Sequence, residues 1–110
     1  MAKFMILGKY TAEAMEAVRR EGYQTRAAGG EKMAASVGGT FESMHFIPDG
    51  IWDLVAVFDC DDDGLFAISS MAGASGTFER FHVHQLHTAE EADKMVAARV
   101  DWTPPGQGTQ

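Results

Sequence analysis

Apolar positions fall on both parities in two short runs of the chain, and the rest of the pattern is arranged around them. The stronger is G-I-W-D-L-V-A-V-F-D-C at residues 50–60, where Ile51, Trp52, Leu54, Val55, Ala56, Val57 and Phe58 enclose one charge, Asp53. A run this short, rich in β-branched and aromatic residues, predicts a central strand covered on both faces. The second is K-F-M-I-L-G-K-Y at residues 3–10, with Phe4 and Ile6 on one face and Met5 and Leu7 on the other. Two further runs alternate more openly, T-F-E-S-M-H-F-I at 40–47 and T-F-E-R-F-H-V-H-Q-L-H at 77–87. In the latter, one face carries Phe78, Arg80, His82, His84 and Leu86, and the other Glu79, Phe81, Val83, Gln85 and His87.

Helical signals fill the intervals. Thr11 is placed to cap a helix over 12–21, in which Met15 and Val18 lie one turn apart. Gly22 breaks it, and helical character returns over 25–37. Gly29 and Gly30 fall inside that second segment at a cost of roughly 1 kcal/mol each against alanine, so the helix is either interrupted there or packed closely on a neighbour. Gly38-Gly39 is a stop. A third helix is expected over 64–75, with Leu65, Ile68 and Ala72 as its core stripe and Gly76 as its end. Thr88-Ala89-Glu90-Glu91 has the spacing of a capping box and opens a last helix with the stripe Ala92, Met95, Val96 and Val100.

The resulting order, β-α-β-β-α-β plus a C-terminal helix, is that of an α+β, ferredoxin-like domain: one antiparallel sheet with two helices on one face. Residues 1–100 form the domain and 101–110 a C-terminal tail, frayed beyond Trp102. The usual strand order puts the first and third strands at the centre, and these are the two runs covered on both sides. The helices cover one face only. A second copy of the chain is the expected cover for the other, in a dimeric α/β-barrel-like assembly or a higher homo-oligomer.

Charge and cysteine usage narrow the partners. Nine Lys+Arg against 16 Asp+Glu give a net charge of −7, which disfavours nucleic acid and anionic membrane surfaces as partners. No stretch approaches the ~20 apolar residues of a membrane span, no signal peptide is recognisable, and the expected location is cytoplasmic. Cys60 is the only cysteine and reads as a buried structural thiol, since no local Cys-His signature marks a nucleophile. Asp59, Asp61, Asp62 and Asp63 lack the later glutamate of an EF-hand and suit a helix N-terminus. Neither a bound metal nor a cofactor is expected.

The candidate site is the open sheet face. If Phe81 and Val83 face the helices, Arg80, His82 and His84 face outward; if Leu54, Ala56 and Phe58 face the helices, Asp53, Val55 and Val57 face outward too. An acid, a guanidinium and two imidazoles over an apolar floor have the composition of a small ligand pocket. Asp53 and the histidines stand two strand spacings apart, ~9.6 Å, so they can flank a ligand without bonding each other. His82 and His84 also suit an interface, and a zinc site would need a third ligand, such as His45 or His87. Asp53 also suits a structural acid that binds backbone N–H groups near the turn. Pro48-Asp49-Gly50 predicts a tight turn into the central strand; a two-residue loop sets Phe46 opposite Asp53, a three-residue loop His45.

The runs F-M-I-L-G-K-Y-T-A-E, Gly38-Gly39, G-I-W-D-L-V-A-V-F-D and T-A-E-E-A-D together resemble the GYD-domain family of small bacterial and archaeal proteins, over roughly residues 3–98. The eponymous Gly-Tyr-Asp is altered: Gly50 and Asp53 flank Ile51-Trp52. The resemblance implies a ferredoxin-like, oligomer-forming domain and no particular activity. Two functions are open on these residues: an oligomeric module that binds a small molecule or protein partner at the open face, or a small cofactor-independent enzyme of isomerase or oxygenase type that uses Asp53 with His82 or His84.

Overall fold

A computed structural model describes residues 1–108. The elements in order are β1 (Ala2–Tyr10), α1 (Ala12–Glu21), α2 (Tyr23–Ser36), β2 (Thr40–Phe46), β3 (Leu54–Cys60), α3 (Asp62–Ala74), β4 (Phe78–Leu86) and α4 (Ala89–Met95). The four strands form one antiparallel sheet in the order β2-β3-β1-β4. Thus β1 and β3, the two runs apolar on both parities, are its central strands. Their burial alternates residue by residue. Phe4, Ile6 and Tyr10 of β1 and Leu54, Ala56, Phe58 and Cys60 of β3 join Val18, Ala34 and Ile68 of the helices in the core. The alternate residues Met5, Leu7, Val55 and Val57 stay half-buried on the other face.

The start of α1 and the break after it fall at the residues expected to set them. The Thr11 hydroxyl accepts from the Ala14 N–H at 3.2 Å, and Gly22 separates α1 from α2. Contrary to an interruption, α2 runs straight through Gly29-Gly30. Gly30 explains part of this, because a Cβ there would stand 3.0 Å from the Phe41 ring of β2, so the missing side chain lets helix and sheet approach. At the α2–β2 junction, Gly38 has φ +73°, and a Cβ on Gly39 would lie 2.3 Å from the Asp59 carbonyl oxygen. In α3 the small residues Gly64 and Ala72 flank Ile68 on the buried side. Asp61 stands at its N-cap without a side-chain cap bond, and Asp62 and Asp63 lie in its first turn, where acids complement the helix dipole.

Two expectations are corrected. The β2–β3 connection is neither of the two short loops: Phe46 pairs with Leu54 and His45 with Val55, and the Ile47 N–H donates to the Asp53 carbonyl at 2.8 Å. Ile47 therefore opposes Asp53, across a five-residue loop, 48–52. Asp49 lengthens it by accepting from both the Ile51 and Trp52 N–H groups, at 2.8 and 2.9 Å. The last helix is also shorter than its stripe. Its capping box forms in full, but α4 ends at Met95, and Met95, Val96, Val100 and Trp102 are exposed. The molecule measures 64 Å along its long axis, with a radius of gyration of 17.8 Å, against roughly 13 Å for a compact domain of this length. The difference lies in this C-terminal extension, exposed throughout residues 87–103. Residues 109 and 110 of the expected tail lie outside the described residues.

Two neighbouring glycines should respond differently to alanine. Gly39→Ala drives a Cβ into the β3 backbone, which cannot yield as a side chain does, and should cost about 3 kcal/mol or more. Gly38→Ala meets open space and should cost only the left-handed backbone penalty, about 1–2 kcal/mol. Urea unfolding of both variants measures the difference.

Candidate functional site

Asp53 sits just before β3 and is 9% exposed. Its backbone N–H donates to the Gly8 carbonyl at 2.8 Å and its carbonyl accepts from Ile47. Its Oδ2 accepts from the Tyr10 N–H at 2.8 Å, and its Oδ1 lies 3.6 Å from the Lys9 Nζ. The reason lies in β1. The pairing of β1 with β4 slips between Lys9 and Tyr10, and the carboxylate receives the Tyr10 N–H beside the slip. In this chain, then, both carboxylate oxygens are engaged with β1.

The other three candidates lie together on β4, joined by a residue the strand pattern did not assign to them. Arg80 pairs with Lys9, His82 with Leu7 and His84 with Met5. The Trp52 ring meets the His82 ring edge-on at 4.9 Å, and His82 meets His84 at 6.3 Å. The Arg80 guanidinium lies 5.0 Å from the Trp52 ring centre and donates to the Ile51 carbonyl. Trp52 thus reaches across from the 48–52 loop to β4. Parity along a strand could not find it, because Trp52 lies outside the strand; its one signal was an aromatic next to the acid at the head of the apolar run.

Across the face, His45, Val55, Leu7 and His82 form one row, and Ser43, Val57, Met5 and His84 the next. The apolar centre is therefore flanked by histidines on both edge strands. Charges sit at the two ends and are mostly paired. At one end Lys3 bonds Glu42 and lies 3.1 Å from Asp59; these two carboxylates raise the Lys3 ammonium above its usual range. At the other end Lys9 pairs with Asp53.

This arrangement can stack and hydrogen-bond a planar or anionic group through Trp52, Arg80 and the imidazoles. Among the described residues no group of three His, Cys, Asp or Glu is placed to hold a metal ion, and no helix is long and apolar enough to cross a membrane. Cys60 is fully buried at the end of β3. Burial, and then Asp61, Asp59 and Asp62, push its thiol up, which keeps it protonated.

Asp53→Asn keeps an acceptor for the Tyr10 N–H but loses the charge, and should lower the unfolding free energy by about 1.5–3 kcal/mol in a denaturant melt. Acid should also release the loop. The Trp52 and Ile51 N–H groups hold the Asp49 carboxyl below its usual range. A depressed folded value makes this stabilisation complete above the unfolded value, about 3.9, and lost as pH falls through the folded one. In a Trp102→Phe chain, Trp52 fluorescence should change below about pH 3.9, and Asp49→Asn should remove that step.

None of the curated proteins matches the chain. A family model, the GYD domain, matches residues 4–96. The matched stretch begins in β1 and ends just beyond α4, so it contains most of β1, the whole of β2, β3 and β4, the Asp53 clamp and the Trp52, Arg80, His82 and His84 cluster. The chain belongs to the GYD domain family.

Proposed function

We propose that the protein is a self-associating, ferredoxin-like binding module. Its open sheet face docks on the same face of a second copy, in a dimeric α/β-barrel-like assembly, and Trp52, Arg80, His82 and His84 form a small-molecule site at the rim of the join. The observation that carries this reading is the half-buried apolar centre, Met5, Leu7, Val55 and Val57, on the face opposite the core. A contiguous apolar patch of this kind, rimmed by polar groups, is the usual mark of an interaction surface.

Charge favours a copy of the chain as the occupant. The chain as a whole carries −7, so two copies repel through most of their surfaces. On this face Lys3, Lys9 and Arg80 are balanced by Glu42, Asp59 and Asp53. Apposing two such faces brings together locally neutral surfaces, and a two-fold axis through the apolar centre sets each patch on itself. Asp53 serves the site by fixing the base of the loop that carries Trp52, while Arg80 and the imidazoles supply its polar contacts.

Light scattering at micromolar concentration tests the assembly. The wild-type chain should run as a dimer or larger, and Leu7→Glu, which sets a charge at the centre of the face, should run as a monomer with unchanged far-UV circular dichroism. A strictly monomeric wild type would overturn the proposal.

A further inference from the structure

The core side of the sheet holds a second candidate site, independent of the open face. Beneath α2 and α3 lies a cavity of about 130 Å³. Ile6, Leu54 and Phe58 form its floor, and Met33, Ile68 and Met71 its walls. For scale, an apolar protein cavity of roughly 150 Å³ stays dry and takes up benzene. Thioether side chains such as Met33 and Met71 can adjust to an occupant.

One part of this apolar lining is polar and unsatisfied. Tyr10 is 2% exposed, and its hydroxyl donates to no acceptor. The Arg26 Nε is likewise buried without a partner. Both residues line the cavity. Burial raises the Tyr10 hydroxyl above its ordinary pKa, partly offset by hydrogen bonding from the Arg26 guanidinium and then by its charge, so the hydroxyl keeps its own proton to donate at neutral pH. Buried donors are almost always satisfied in native proteins, and these two meet at the same cavity.

Gly29 points the same way. It lies inside α2 and lines the cavity, yet a Cβ there would meet nothing within 4 Å. Unlike at Gly30, packing does not require the missing side chain, and alanine would favour the helix. What the glycine does preserve is open space. Tyr10, Arg26, Ser75 and Thr77 also line an adjoining surface groove of about 420 Å³, which gives a route inward. Glu13 and Glu21 stand on that groove's outer wall, so selection of an anion falls to Arg26 at its inner end.

We propose that this cavity binds a small apolar carboxylate, its hydrocarbon body among the core side chains and its carboxylate accepting from the Tyr10 hydroxyl and the Arg26 guanidinium. A guanidinium whose Nε lacks an acceptor, beside a hydroxyl that donates to none, matches an anionic oxygen pair better than a neutral group.

Benzoate and its neutral counterpart acetophenone are the probes, titrated into the full chain by calorimetry and by methyl NMR of the methionines. Benzoate should bind saturably, about tenfold or more tighter than acetophenone. It should shift the Met33 and Met71 methyl signals and leave Met5, on the open face, unmoved. Tyr10→Phe and Arg26→Met should each weaken benzoate by about 10–100-fold and acetophenone less. Gly29→Leu, which grows into the space, should abolish binding of both. Equal affinity for the two probes, shifts centred on Met5, or no saturable binding by the wild type would overturn the proposal. The wild-type titration decides even where a variant fails to fold, and none of these readings depends on whether the chain dimerises.

Discussion

The contact on which the sheet depends is the buried bond from the Tyr10 N–H to the Asp53 carboxylate. A sheet whose two middle strands are β1 and β3 needs them held at the end where β1 slips its register against β4. An N–H displaced from its ladder and buried is costly unless something accepts from it. Asp53 does so while its own N–H and C=O bind Gly8 and Ile47. One residue thereby ties β1, the head of β3 and the end of β2. The cost of burying a carboxylate is offset by that N–H and by Lys9. The Trp52 loop hangs from this junction, so the orientation of the indole toward β4 is inherited from it.

The two faces of the sheet solve opposite problems. On the helix side, apolar packing is nearly complete, and the unsettled atoms are the Tyr10 hydroxyl and the Arg26 Nε. On the open side, the charges are largely settled and the unsettled surface is apolar. Unmet polar groups within the interior and unmet apolar groups on the exterior call for different occupants, which is why the two proposals place theirs on opposite faces of the sheet.

Much of the architecture was legible because it rests on periodicity. Apolar residues on both parities identified β1 and β3 as central, and alternation along β4 put Arg80, His82 and His84 on one side. What failed to show was set by contacts with no sequence period. Pro48-Asp49-Gly50 reads as a tight turn, but the Asp49 side chain captures two further N–H groups and draws Ile51 and Trp52 into the loop. Gly29-Gly30 reads as a possible break, but the close approach of Gly30 to Phe41 compensates for its weak helix propensity. Tyr10 reads only as the last residue of the first strand. That its hydroxyl would be buried beside Arg26 without an acceptor depends on where Arg26 falls after the helix break at Gly22, a placement that no local pattern encodes.

The C-terminal extension behaves as a separate unit of stability. None of the seven residues of α4 is buried, and an isolated helix of that length is marginal in water. Its order rests on the reciprocal bonds between Thr88 and Glu91 and the exposed pair Lys94–Glu90. Opening this segment exposes little apolar area beyond part of Met95, so local fraying of it costs far less free energy than opening the sheet. A single global unfolding transition, read from tertiary signals of the sheet, would therefore describe β1 through β4 and be blind to residues 88–103.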